Sequence, residues 1–416
     1  MAASTTLKIN SKRMRAHFEE LSAIGATPLG GVARPALSHE DARARAWLID
    51  LLNSSGFEPC DDAVGNIGGI LRCPNPHAKT LLIGSHLDTN LNGGRYDGSV
   101  GIVAGLECML TLREAGIILP FHVELIDFTD EEGSWQSLFG SMGLTGRLRD
   151  EHINDAKQDN AAFRAALLRL GIFAEQIHEA RRDPNTLLGY LELHIEQGDH
   201  LDRTGTQIGV VTRVIGRSSF RVTFHGEAVH AATNCNRKRD ALQGAVRFLT
   251  GLYDLPSRVP GGLINCGSVD VAPGMTTIVP ETVTLHMEVR HPDPERLAEM
   301  EQRVRELAQQ SAAGYQLGVE VERTLHREVA HMDRCLTEVV AEVCADQGLS
   351  YTHMFSNAGH DAQIMAAFTP SALIFIPCRD GISMNPREYT DWENVENGAK
   401  VLLHTILRLA SAYPCS

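Results

Sequence analysis

Apolar residues recur at helical spacing over 40–55, EDARARAWLIDLLNSS, and Gly56 supplies a stop signal. Two strand-like runs follow, VGNIGGILRC at 64–73 and TLLIGSH at 80–86. SVGIVAGLECMLTLREAG at 99–116 then reads as a buried helix and FHVELIDFT at 121–129 as another strand. This alternation predicts an α/β fold with a helix-flanked sheet. From residue 213 the texture changes to β-type alternation, RVIGRSSFRVTFHG, followed by a helix near 238–253, the strand TVTLHMEVRH at 282–291 and a helix at 294–312. That is a βαββα-like block of about a hundred residues, the size of a small domain. The first texture then returns, with a helix at 333–347, the strand SALIFIP at 371–377 and a helix at 392–411. The expectation is a larger α/β domain, 1–212 and 330–416, interrupted by a smaller α+β domain at 213–329. A chain of 416 residues suits two domains.

Charge narrows the partners. The 38 Lys and Arg against 52 Asp and Glu leave a formal net charge of −14, which repels a phosphate backbone. The basic run Arg237, Lys238, Arg239 reads as a solvated helix start, so no nucleic acid is expected. No run is apolar and long enough for a signal peptide or a membrane span, which makes the expected location cytoplasmic. The nine cysteines form no CxxC pair, so they read as reduced, buried small side chains.

Three stretches carry chemistry. GSHLDTNLNGGRYDG at 84–98 puts His86 and Asp88 two apart at a strand end, sharing a face, with Asp97 in the Gly-rich loop beyond. Imidazole and carboxylate suit a divalent ion, although a polar turn would use the same residues. FTDEEGS at 128–134 sets three acids after a strand, where a cation would offset their repulsion and one carboxylate could act as a base toward water. An acidic helix start is the plainer alternative. In YLELHIEQG at 190–198, His194 and Glu196 share a face and Gly198 ends the strand. Alone, such a histidine is more often structural. Together the stretches present a His, Asp, Glu, His set at strand ends, where α/β sheets bind ligands.

With these motifs the chain resembles the M20-type metallohydrolases, in the branch of N-carbamoyl-L-amino-acid hydrolase, β-ureidopropionase and allantoate amidohydrolase. The marks run nearly end to end: GSHLDT with GGRYDG, DEEGS with FGS at 139–141, HIEQG with IGVV at 208–211, GEAVHA at 226–231, EVRHPD at 288–293, NAGHDA at 357–362 and GISMNPREYT at 381–390. The resemblance implies a metallo-exopeptidase-like catalytic domain and a lid domain that also forms a homodimer. It implies His86, Asp97, Glu132 and His194 as metal ligands, Glu131 as general base and Asp88 as the carboxylate behind His86. It further implies Gln197 as a substrate-site amide, His230 as an oxyanion-stabilising residue reaching the partner's site, and Arg290 as the clamp for a substrate carboxylate. An arginine fork suits a carboxylate, while pairing with Glu288 is its plain alternative. Asn357 and His360 fall at substrate positions, as do Thr277 and Met384.

The chain also departs from that pattern. Met384 stands where the family has a histidine ligand for a second metal, Thr277 where it has asparagine, ATNCN at 232–236 where it has GTTPM, and Trp135 where arginine is frequent. The function implied is metal-dependent hydrolysis of an N-carbamoyl amino acid or related ureido acid, a small carboxylate substrate. The expected ion is zinc or manganese. A thioether is a poor ligand for such ions, so one ion per chain is expected. The alternatives are an N-acyl amino acid or peptide hydrolase, or an altered homologue that only binds ligand.

Overall fold

The computed structural model describes residues 7–154, 160–233 and 239–412. The chain divides into two compact units, Met1–Thr212 with His331–Ser416, and Arg213–Ala330.

The larger unit is built on a mixed sheet. Its centre is four parallel strands in the spatial order His122–Asp127, Thr80–Ser85, Leu187–Ile195 and Ser371–Ile376. Every residue of His122–Asp127 and Ser371–Ile376 is buried, as strands covered on both faces require. The antiparallel pair Glu58–Asp61 and Ile67–Leu71 extends one side, and Ile208–Val214 extends the other. The helix Ser99–Glu114 is apolar all round and is buried from Ser99 through Leu112, so it forms the centre of the core. Each large aliphatic side chain buried there contributes roughly 1.5–3 kcal/mol. Helix Ser11–Ala23, which the sequence reading passed over, packs against this core through Met14, Phe18 and Leu21.

In the smaller unit four antiparallel strands lie in the order Gly318–Arg327, Gly216–His225, Thr282–His291, Leu263–Ala272. The expected βαββα block is therefore βαββαβ. The last strand was missed because its alternating residues are only half-buried and mostly polar. Helices Ala241–Tyr253 and Pro294–Ala313 bury Phe248, Leu252, Met300 and Val304 against Phe220, Phe224 and Leu285. Arg237 and Lys238 lie outside the described residues, Arg239 donates from Nε to the Gln316 carbonyl at 2.9 Å, and the helix begins after the Asp240 cap. Among the described cysteines, Cys73, Cys108, Cys344 and Cys378 are buried, while Cys335 is exposed. Cys235 and Cys415 lie outside the described residues.

Candidate metal centre

The C-terminal ends of three adjacent parallel strands deliver the candidate ligands, the usual ligand edge of an α/β sheet. Thr80–Ser85 leads into His86 and Asp88, His122–Asp127 into Glu131 and Glu132, and Leu187–Ile195 carries His194 as its penultimate residue. Asp97 comes from the loop that closes onto helix Ser99–Glu114. Gly98, at φ +62°, is required there, because a Cβ would stand 2.5 Å from the His86 ring.

His86, Asp97 and His194 are all buried, and their donor atoms lie within 4.8 Å of one another. His194 Nε2 is 2.9 Å from Asp97 Oδ1, and His86 Nε2 is 3.6 Å from the same oxygen. The opposite ring nitrogens face backbone carbonyls, His86 Nδ1 that of Asp88 at 3.0 Å and His194 Nδ1 that of Ile195 at 2.8 Å. A carbonyl only accepts, so each Nδ1 carries hydrogen, and each Nε2 is the position that can hold either a proton or a cation. This donor set, two oriented imidazoles and a carboxylate, fits a divalent ion such as zinc. Glu132 is outside this cluster and accepts from Asn90 Nδ2 at 3.0 Å.

His86 and Asp88 lie beyond the strand end, so the expected shared strand face does not apply. The Asp88 carboxylate stands 3.7 Å from His86 Nδ1 and instead accepts the backbone N–H groups of Glu131 and Glu132, both at 3.2 Å. It thereby joins the first candidate stretch to the second. Of the three consecutive acids, Asp130 turns away at φ 54° and accepts from the N–H groups of Ser134, Trp135 and Gln136. Glu131 points inward, with Oε2 3.7 Å from His86 Nε2. Burial, reinforced by Asp361, Asp88 and Asp97 against the pull of His86, raises its carboxyl well above the usual range. Burial and Asp97 do the same to Glu132. Burial opposes a charged His86, but Glu131, Asp97 and Asp88 outweigh it and the net shift is upward.

Asp97 has a second set of partners. Its Oδ2 accepts from Gln197 Nε2 at 2.7 Å and from Ser383 Oγ at 3.1 Å. Glu388 accepts from the backbone N–H groups of Tyr96, Asp97 and Met384, tying the Asp97 loop to 383–388. Burial, then Asp97, pushes its carboxyl up to about 7. Met384 itself is exposed, at φ 53°. Ser383, Glu388 and Asp361 were all missed as site residues, although each lies in a motif singled out by sequence.

His360 is buried behind His194, with ring centroids 4.5 Å apart, and its Nε2 meets Ser356 Oγ at 2.9 Å. Asn357 is exposed just past strand Tyr351–Ser356. Glu196 turns from His194 and caps helix His200–Thr204, accepting from the N–H groups of His200 and Leu201. Trp135 stacks on Phe163 and donates to the Ala36 carbonyl at 3.2 Å. In the smaller unit, His230 is exposed and bridges Ile278, and Thr277 accepts from the Ala231 N–H at 2.9 Å. Arg290 donates from Nε to Glu288 Oε1 at 2.8 Å, the plainer of its two expected partners. Of 232–236, residues 234–236 lie outside the described residues.

Residues 82–408 match Peptidase family M20/M25/M40. The chain belongs to this family. Within it, the chain is 30% identical over 410 residues to an N-carbamoyl-L-amino-acid amidohydrolase of Pseudomonas sp. (strain NS671), covering 97% of this chain and 99% of that one. An allantoate amidohydrolase of Bacillus subtilis is 28% identical, covering 95% and 96%. The crystal structure of a hydantoinase/carbamoylase family amidase from Burkholderia multivorans superposes with a TM-score of 0.86 at 32% identity, over 99% of each chain. The M20 membership and fold class expected from the motifs are thus borne out. Among the described residues, no helix is long and apolar enough to cross a membrane.

Proposed function

We propose that this M20 chain hydrolyses a non-peptide C–N bond, that of an N-carbamoyl amino acid or related ureido acid, using a divalent ion held by His86, Asp97 and His194. The observation that carries this is the convergence of both Nε2 atoms on Asp97 Oδ1 beside Glu131. The names of the similar proteins supply the substrate class. When bound, the ion supplies Lewis acidity toward the substrate carbonyl and lowers the pKa of water. Glu131 removes a proton from the attacking water and returns it to the leaving nitrogen. The upward shift of its carboxyl favours holding the proton on its way to the leaving nitrogen. Asp88 fixes the loop that aims Glu131, through the two N–H contacts.

One tightly held ion per chain follows from Asp97 as well as from Met384. The carboxylate oxygen that would reach a second ion is occupied by Gln197 and Ser383. His360 Nε2 meets Ser356 Oγ, a contact that would have to break before this nitrogen could serve a second ion. The smaller unit is the proposed lid and dimerisation domain, its outer strand Leu263–Ala272 presenting mostly exposed side chains at a sheet edge. His230 is proposed to stabilise the oxyanion in the partner's site, and Arg290 to bind the substrate carboxylate. Panels of N-carbamoyl and N-acetyl amino acids, with protein loaded with zinc or manganese, test the reaction. Ammonia release from the carbamoyl panel supports it. Turnover of the acetyl panel alone overturns it.

A further inference from the structure

Arg34 is 1% exposed, yet among the described residues its guanidinium donates to backbone carbonyls and a hydroxyl rather than to a carboxylate. Nε donates to the Leu87 carbonyl at 2.7 Å, between His86 and Asp88. Nη2 donates to Ser99 Oγ at 3.0 Å, two residues past Asp97. Nη1 donates to the carbonyls of Leu21 and Ile24 at the end of helix Ser11–Ala23. The backbone continues the pattern, since Arg34 and Thr89 exchange hydrogen bonds at 2.9 Å and Val32 pairs with Gly93. The Leu87 N–H is held from the other side by Asp127 Oδ1 at 2.8 Å. The chain at Leu87 is therefore clamped at both its N–H and its carbonyl.

Burying a full charge is costly unless its donors are satisfied, and here Nε, Nη1 and Nη2 each find an acceptor. Three separate strands of chain are reached by one planar fork, which no other side chain can span. We propose that Arg34 is a positioning residue for the metal centre, its guanidinium setting the spacing between the chain that carries His86 and the chain that carries Asp97. The inference rests on the reading of His86, Asp97 and His194 as ligands. Lysine keeps the charge but not the fork, so Arg34→Lys separates the two.

The test measures zinc affinity by calorimetric or chelator competition, far below each variant's melting temperature. Arg34→Lys should weaken zinc binding about 10- to 100-fold, the usual effect of losing a group that orients ligands. Ser99→Ala removes only the contact on the Asp97 side, and should weaken binding in the same direction by a smaller factor. Asn10→Ala, which removes the cap that accepts from the Arg13 N–H, should lower thermal stability and leave zinc affinity unchanged. Wild-type zinc affinity in folded Arg34→Lys and in Ser99→Ala overturns the proposal. If Arg34→Lys does not fold, unchanged affinity in Ser99→Ala alone overturns it. A wild-type protein that ignores zinc, or a His194→Ala variant that binds it as well as wild type, instead overturns the ligand reading beneath it.

Discussion

Glu131→Gln separates base from ligand. The substitution keeps volume and one hydrogen-bonding oxygen, and removes only the ability to take up a proton. If Glu131 is the base, kcat on an N-carbamoyl amino acid falls by about two to four orders of magnitude. At about 1.36 kcal/mol per factor of ten, that is about 2.7 to 5.4 kcal/mol of transition-state stabilisation. The metal-free protein should respond in the opposite sense. Burial and the neighbours Asp361, Asp88 and Asp97 disfavour an ionised Glu131, more than His86 favours it. A neutral amide relieves that conflict, so the chelated variant should melt higher than chelated wild type at pH 8. The assay pairs ammonia release with metal analysis and thermal melting of both forms. Loss of zinc from Glu131→Gln would make it a ligand, and a kcat within threefold of wild type would remove it from the reaction altogether; either result refutes the argument.

Metal analysis should find one tightly held ion per chain, and Met384→His should add a second; two equally retained ions in wild type would contradict the occupied Asp97 Oδ2. Glu131, Glu132 and Glu388 are all raised, Glu388 to about 7, so each binds its proton more tightly folded than unfolded. Their stabilising contribution is complete at low pH and is lost as pH rises through the raised values, for Glu388 through about 7. The raised His86 has the same sign, its contacts with the carboxylates being lost as it deprotonates. Chelated protein should therefore melt lower at pH 8 than at pH 6, while the increment added by zinc grows with pH; a zinc increment independent of pH is the contrary result. A mixed dimer of His230→Ala and Glu131→Gln chains should regain part of the activity, and no recovery after demonstrated subunit exchange would place His230 in its own subunit's site. Glu288→Gln should lower KM for carboxylate substrates by releasing Arg290 from its partner, and an unchanged KM would argue against the clamp.

The sequence made the ligand types legible because their chemistry is unusual next to strand ends. Residue type and the helix–strand alternation offered His86, Asp97 and His194 as candidates, the resemblance to the M20 hydrolases singled them out as ligands, and the structure brings their donor atoms together. The parts that hold them in place were illegible for a physical reason. Glu388 meets the Asp97 N–H across 291 residues, and Ser383 meets the Asp97 carboxylate across 286, separations on which local periodicity carries no information. Arg34 sits in a loop whose sequence, GGVARPALS, looks like surface. Asp130, Glu131 and Glu132 read as one acidic cluster, and only the positive φ of Asp130 shows that the first serves the turn while Glu131 faces the histidines. Arg290 is the opposite case, because its strand was read with the observed boundaries but its partner depended on a side-chain choice the pattern leaves open.

A single imbalance underlies the site's behaviour. Around Asp97 the fold buries Asp88, Glu131, Asp361 and Glu388, with Glu132 at the margin, against two histidines that can carry charge. Burial and mutual repulsion raise the carboxyls of Glu131 and Glu132, whereas at Asp97 the effect of burial is outweighed by His194 and His86, which hold it well below the usual range while it helps to raise them. A divalent ion held by His86 and His194 would compete with protons for their Nε2 atoms and would relieve the repulsion among the acids at the same stroke. The proton release, the pH-dependent zinc increment and the availability of Glu131 as a base then have one electrostatic origin. Calorimetry in buffers of different ionisation enthalpy counts those protons directly, and zinc uptake with no net release would remove that common origin.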